Sequence, residues 1–146
     1  MLQKRAVKWI LKEPYVSYTD KEFLKKQCSL DLLPMKYKFL LSDLTLFYKI
    51  INNYVEIKLP NYILRIGPQD VNRITRSNNS IANGIDKLRF KCKVIPKVNA
   101  FKNSFFVRTI NHWNELPLTL REINTPVKFA SALKEHLWLI LGLKPD

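Results

Sequence analysis

Apolar residues recur at helical spacing along most of this chain. Residues 1–13 place Leu2, Ala6, Val7, Trp9, Ile10 and Leu11 on one broad arc of a helical wheel, opposite Lys4, Arg5, Lys8 and Lys12. No residue caps the start of this helix, so it reads as cut from a longer chain. Pro14 stops it. Thr19-Asp20-Lys21-Glu22 then fits a capping box, in which the Thr19 hydroxyl accepts from the Glu22 amide and Glu22 reaches back. A short helix to about Cys28 follows, burying Phe23, Leu24 and the stem of Gln27. The most regular pattern runs from about Pro34 to Asn52. There Tyr37, Leu40, Leu44, Phe47 and Ile51 recur at spacings of three and four, with Leu41 and Tyr48 widening the stripe. Pro34 suits a first helical turn, and Asn52 and Asn53 suit a helix end.

The pattern changes after residue 54. Residues 55–66 are mixed, and Pro60 breaks any regular element. Residues 67–84 carry Gly-Pro, Asn-Asn-Ser and Asn-Gly, which are turn signals with little apolar order around them. Residues 87–94 alternate strictly. Leu88, Phe90, Cys92 and Val94 fall on one face, and Lys87, Arg89, Lys91 and Lys93 on the other. That is a half-buried strand with a cationic outer face. Ser104 can cap a helix over about 105–115, with Phe106, Ile110 and Trp113 on one side and Arg108 on another. Leu116-Pro117 ends it. Thr125-Pro126 opens a last helix to about Leu141, with Phe129, Leu133, Leu137 and Ile140 inward. The expected fold is mainly α with a small β element: about five helices and one or two short strands. Residues 1–66 form a helical part, 67–86 a polar loop, and 87–146 the basic strand and C-terminal helices, together one compact unit.

Charge sharpens this reading. The 146 residues carry a formal net charge of +13, and 47% of them are hydrophobic, enough for a core. A domain this basic usually meets phosphates or an anionic surface. Cys28 and Cys92 lie far apart with no metal-ligand spacing, and neither His112 nor His136 completes a site, so free thiols and no metal are expected. No signal peptide stands at the start. The run 137–143 (LWLILGL) is too short to span a bilayer, so no membrane partner is expected.

The residues argue against independent catalysis. The carboxylates are scattered, the serines lack a nucleophile elbow, and there is no Asp-Asp pair for two-metal chemistry. Glycine stands only at 67, 84 and 142, so no glycine loop cradles phosphate. No catalytic residue and no cofactor is expected.

Residues 87–114 hold seven basic side chains and no acid: Lys87, Arg89, Lys91, Lys93, Lys97, Lys102 and Arg108. Phe90, Phe101, Phe105, Phe106 and Trp113 are interleaved with them. A groove that tracks a nucleic-acid backbone and offers stacking platforms needs cations beside aromatic rings. Phe106 and Trp113 share a helical face with Ile110 and read as core. Phe101, ahead of that helix, is the stacking candidate. Arg73 and Arg76, in the polar loop near Arg65, join the candidate nucleic-acid surface.

The same stretch carries a resemblance. Residues 99–117 resemble the C-terminal region of non-LTR retrotransposon reverse transcriptases of the jockey-like and related animal LINE types. Those chains commonly end in Arg-Thr-Asn-x-Tyr-Lys-x-Ser-Phe-Phe-x-x-Thr-Ile-x-x-Trp-Asn-x-Leu-Pro. Asn99, Lys102, Ser104, Phe105, Phe106, Thr109, Ile110, Trp113, Asn114, Leu116 and Pro117 stand in register with that run. Gln3-Lys4-Arg5-Ala6 resembles the family's Gln-Arg-Arg-Ala helix after the polymerase core. Residues 46–52 resemble its Leu-Phe-Tyr-Lys-Ile-Ile-Asn helix, and Leu59-Pro60-x-Tyr62 and Arg73-x-Thr75-Arg76-Ser77 follow in order. Lys97-Val98 stands where Arg-Thr is usual, and Phe101 where Tyr is usual.

The polymerase palm, with its Tyr-x-Asp-Asp motif, is absent from the sequence. The resemblance therefore implies the end of the thumb and the C-terminal domain, with no polymerase activity in this piece. It implies binding of template RNA or primer duplex, a polymerase domain of the same polyprotein as partner, and an intracellular location in cytoplasm and nucleus. The alternative is a protein-interaction module, in which the apolar arc of residues 2–11 and the 137–143 run dock on a partner domain.

Overall fold

The computed structural model describes residues 2–12, 19–66, 88–95 and 97–143. Among them are seven helices and one two-stranded antiparallel sheet, so the protein is mainly α with a small β element. The helices are α1 (Leu2–Ile10), α2 (Asp20–Ser29), α3 (Met35–Ile51), α4 (Asn99–Lys102), α5 (Phe105–Glu115), α6 (Leu118–Arg121) and α7 (Pro126–Ile140). The strands are β1 (Ile63–Arg65) and β2 (Phe90–Cys92). Five helices match the expected ones; α4 and α6 are single turns of four residues, too short to leave a period in the sequence. The loop expected over 67–86, with Arg73 and Arg76, lies outside the described residues, as do Lys87 and Pro14. The chain divides into two compact units: Met1–Ser42 with Ala130–Asp146, and Asp43–Phe129.

In the first unit, α2 starts on the expected capping box. The Glu22 amide donates to Thr19 Oγ1 at 3.4 Å, and the Thr19 amide donates to the Glu22 carboxylate at 2.9 Å. The Thr19 hydroxyl also donates to that carboxylate, at 2.8 Å, and the amide and hydroxyl together hold the Glu22 carboxyl below its ordinary pKa, because they favour the ionised form. α2 ends on Asp31, whose φ of 52° is left-handed. Leu32 N–H then returns to Gln27 O and Asp31 N–H to Cys28 O, both at 2.9 Å, closing the last turn. The Asp31 carboxylate pairs with Lys134 of α7. Gln3 of α1 reaches the segment before α3. Its Nε2 donates to Leu33 O at 3.0 Å, and its Oε1 accepts from Met35 N–H at 3.3 Å, an amide that a helix start leaves without an intrahelical partner. Val7, Phe23, Gln27, Cys28, Leu33, Leu133, Leu137 and Trp138 are buried.

The broad apolar arc expected for α1 is buried only in part. Val7 is enclosed, but Trp9 is 84% exposed and Ile10 is exposed as well. A nine-residue helix that packs along one narrow line leaves the flanks of its arc uncovered. The single inward face expected for α7 is also corrected. Leu133 and Leu137 are buried, yet Ile140 in the last turn is 59% exposed, and Trp138, on another side, is enclosed. Burial on more than one side of a helix erases the stripe a wheel looks for.

In the second unit, α3 contributes Leu44, Phe47, Tyr48 and Ile50 to the core. Ile50 is buried where the pattern favoured Ile51, which is half-buried. Phe47 stands edge-on to both Phe90 and Trp113, with ring centroids 5.3 Å away in each case. Tyr48 stacks on Phe129 at 4.4 Å and donates its hydroxyl to Ile123 O at 2.6 Å. Burial raises the pKa of that phenol. Helix α3 ends at Asn52 and Asn53 as expected. Asn53 is left-handed (φ 57°), and Tyr54 N–H returns to Lys49 O at 2.8 Å.

The strand differs from its expected extent of 87–94. β2 covers Phe90–Cys92, because its partner is only three residues long. That partner, β1, falls inside the segment expected to hold no regular element. Pro60 lies just ahead of it and takes no part in the ladder, accepting from Ile63 N–H at 2.9 Å in a turn. Ile63 pairs with Cys92, Leu64 with Lys91 and Arg65 with Phe90. Past Lys93 the chain bends away, and Val94, expected inward, is 51% exposed. Ser104 occupies the N-cap position of α5 with extended backbone, yet its side chain makes no capping bond. Its Oγ is enclosed without a partner among the described residues.

Candidate nucleic-acid interface

Two side chains of α5 hold β2 in place. The Trp113 indole N–H donates to Leu88 O at 2.7 Å, and its ring is fully buried. Asn114 meets Phe90 along its open edge: Oδ1 accepts from Phe90 N–H at 3.1 Å, and Nδ2 donates to Phe90 O at 2.8 Å. Those two backbone groups point away from β1, so the amide substitutes for a further strand. The Trp113-Asn114 dipeptide is therefore structural, and Trp113 belongs to the core.

The register then places the cations. Phe90 and Cys92 share one side of the ribbon with Ile63 and Arg65: Phe90 and Ile63 are buried, Cys92 is half-buried, and the exposed Arg65 lays its guanidinium 5.5 Å from the Phe90 ring. Residues two apart share a face, so Arg89, Lys91 and Lys93 line the other side of the ribbon, about 6.7 Å apart along the strand. Their cross-strand partners on that side are Ile66, Leu64 and Tyr62. Lys91 pairs with Leu64 in the sheet. Ile66 N–H donates to Arg89 O, and Lys93 N–H donates to Tyr62 O, each at 2.8 Å. Arg89 and Lys91 are half-buried and Lys93 is exposed. The face is thus a row of basic side chains beside a row of apolar ones.

Tyr62 and Phe101 extend it. Phe101 sits on α4, half-buried, and its ring meets the Tyr62 ring edge-to-face, with centroids 5.3 Å apart and planes at 65°. Lys97 and Lys102 flank Phe101 in sequence and are both exposed. Arg108 stands apart from this group. Its Nε and Nη2 both bind Asp43 Oδ2, at 3.1 and 2.8 Å, and Nη1 donates to Asn103 O at 3.2 Å. The guanidinium is engaged with a carboxylate of α3.

Of the ten residues singled out from the sequence, Arg89, Lys91, Lys93, Lys97, Phe101 and Lys102 belong to β2, α4 and the chain between and beside them. Arg108 is held by Asp43, and Lys87, Arg73 and Arg76 lie outside the described residues. Tyr62 was not singled out; it is recognisable only through its pairing with Lys93.

Other surfaces offer little chemistry. A cavity of about 630 Å3 beside the end of α3 is lined by Ile50, Ile51, Val55, Ile57 and Leu59, with Glu56 as its only carboxylate. Among the described residues, no group of three His, Cys, Asp or Glu side chains could hold a metal ion, and no helix is long and apolar enough to cross a membrane. Cys28 is a buried free thiol, and Cys92 a half-buried one. No protein-family model matches the chain, and neither the curated proteins nor the solved structures contain a match to it.

Proposed function

We propose that this chain is a non-catalytic nucleic-acid-binding segment, the C-terminal part of a LINE-type reverse transcriptase. It holds template RNA or primer duplex by the phosphate backbone while a polymerase domain of the same polyprotein does the chemistry. The observation that supports it is the ribbon face of Arg89, Lys91 and Lys93, continued by the exposed Lys97 and Lys102, in a stretch whose sequence carries no acid from residue 87 to 114. Such a surface binds by displacing counterions, so affinity is strongly salt-dependent and only weakly sequence-dependent. The test is fluorescence anisotropy of labelled RNA and DNA oligonucleotides between low and physiological salt. Steep salt dependence shared by scrambled sequences supports the reading. Absence of binding at low salt overturns it.

A second reading has its own observation. Trp9 and Ile10 on α1, and Ile95 and Val98 after β2, are large apolar side chains left exposed. Solvent-facing apolar groups of this size suit docking on a protein partner. An interaction module binds with affinity that is flat in salt or rises slightly, which separates the two readings in a titration against the polymerase domain.

A further inference from the structure

We infer that the ligand of this surface is a single-stranded polynucleotide, one of whose unpaired bases stacks on the Tyr62–Phe101 ring pair. The inference rests on the nucleic-acid reading above and narrows it. Backbone contacts alone do not distinguish duplex from single strand, since both present phosphates. The ring pair does. Tyr62 lies on the cationic side of the ribbon, directly across from Lys93, whose amide donates to its carbonyl. Its partner Phe101 is carried on a separate element, α4, with Lys97 before it and Lys102 after it. Phe47, Phe90, Trp113, Tyr48 and Phe129 pair with one another in the interior and are all buried. Phe105 and Phe106 form a second half-buried edge-to-face pair on α5, at 5.1 Å, so it is the place across from Lys93 that marks out Tyr62 and Phe101. Tyr62 and Phe101 are only half-buried.

The geometry of the pair suits an incoming base. In an edge-to-face contact, one ring presents only its edge, so its own faces are not covered by the partner. A base of about the same width can lie on such a face while its phosphates run along Lys93, Lys97 and Lys102. Bases in a duplex are already stacked on both sides and cannot do this without unpairing. Stacking on aromatic side chains strengthens binding by roughly 5- to 150-fold per base and tolerates any base, because every base has a π-face.

The test uses the full chain and labelled 15-mers of four kinds: oligouridylate, oligothymidylate, an abasic strand of equal length, and a duplex. Each is titrated by anisotropy over a range of salt. The expected result is that the unpaired strands bind at least about fivefold more tightly than the abasic strand, and more tightly than the duplex. A preference between oligouridylate and oligothymidylate assigns the strand as RNA or DNA. Tyr62→Leu combined with Phe101→Leu keeps apolar volume but removes the flat rings. It should bring the unpaired strands down to the abasic level without changing the salt slope. Should that variant fail to fold, the wild-type comparison of base-bearing with abasic strand still decides. Equal, salt-dependent binding of base-bearing and abasic strands, or tighter binding of duplex, overturns stacking and leaves the backbone reading standing. No salt-dependent binding of any strand overturns both.

Discussion

Asn114 completes the hydrogen bonding of Phe90 from both sides of one peptide edge, accepting from its N–H at 3.1 Å and donating to its C=O at 2.8 Å. The pairing spans helix and strand and satisfies two groups that a sheet of only two strands leaves open. Asn114→Ala should therefore cost about 2 kcal/mol in chemical denaturation, since both groups lose their partner at once. Asn114→Asp keeps the acceptor and loses the donor, so it should also destabilise. A variant as stable as the parent would show that water replaces the amide at no cost.

Trp113 is fully buried and fixes Leu88 through its indole N–H. Trp113→Ala should destabilise by about 3–5 kcal/mol, measured as the shift in urea unfolding free energy. Trp113→Phe should cost less, because it restores most of the ring contact with Phe47 and loses the hydrogen bond. A Trp113→Ala protein of normal stability that no longer binds RNA would move this residue from the core to the interface.

Arg108 and Asp43 hold each other with side chains 47% and 26% exposed. Partial exposure limits such a pair, so Arg108→Gln should cost about 1 kcal/mol at most. It should leave the salt dependence of nucleic-acid binding unchanged. A shallower slope in this variant, by about 0.7, would return Arg108 to the binding surface.

Arg89, Lys91, Lys93, Lys97 and Lys102 are the candidate phosphate contacts among the described residues. Five contacts to a single strand give a slope of log K against log salt of about −3.5. Replacing Lys93, Lys97 and Lys102 together by Ser should bring it to about −1.4 while circular dichroism stays unchanged. A slope unaffected by the triple change would place the binding surface elsewhere.

Glu22 gives a pH prediction with a definite sign. Its folded pKa is lowered by the Thr19 amide and hydroxyl, so the folded state favours the carboxylate. The capping box then contributes stability that is fully present above the ordinary glutamate pKa and is lost as pH falls through the folded value. Urea midpoints of the parent should drop over that acid range more than those of Glu22→Gln. Parallel pH profiles for the two proteins would contradict it.

What could be read from the sequence was what is local. The capping box at Thr19 and Glu22, the stop at Asn53 and the long helix through Leu44 and Phe47 are written within a few residues of where they act. β1 has three residues and no period, and its partner lies 27 positions further on, Ile63 to Phe90 at the strand starts, so only the pairing reveals it. The same distance hides Tyr62, whose place across from Lys93 depends on that register. Asp43 and Arg108 stand 65 residues apart, and no pattern in either helix announces their contact. Trp9 failed in the opposite direction: its arc was correct as a pattern, but a pattern cannot say how much of an arc is covered.

Lys12, Asp31 and Asn53 each end a helix in the left-handed region, at φ of 52°, 52° and 57°. Among the described residues, glycine fills the corresponding place only at Gly142. A lysine held there costs roughly 1 kcal/mol more than glycine, and asparagine or aspartate somewhat less. Selection for stability alone would favour glycine at Lys12 and Asn53, where no ion pair like that of Asp31 with Lys134 offsets the strain among the described residues. The fold therefore sits short of its own optimum. Those two helix ends are where a more robust variant would first arise.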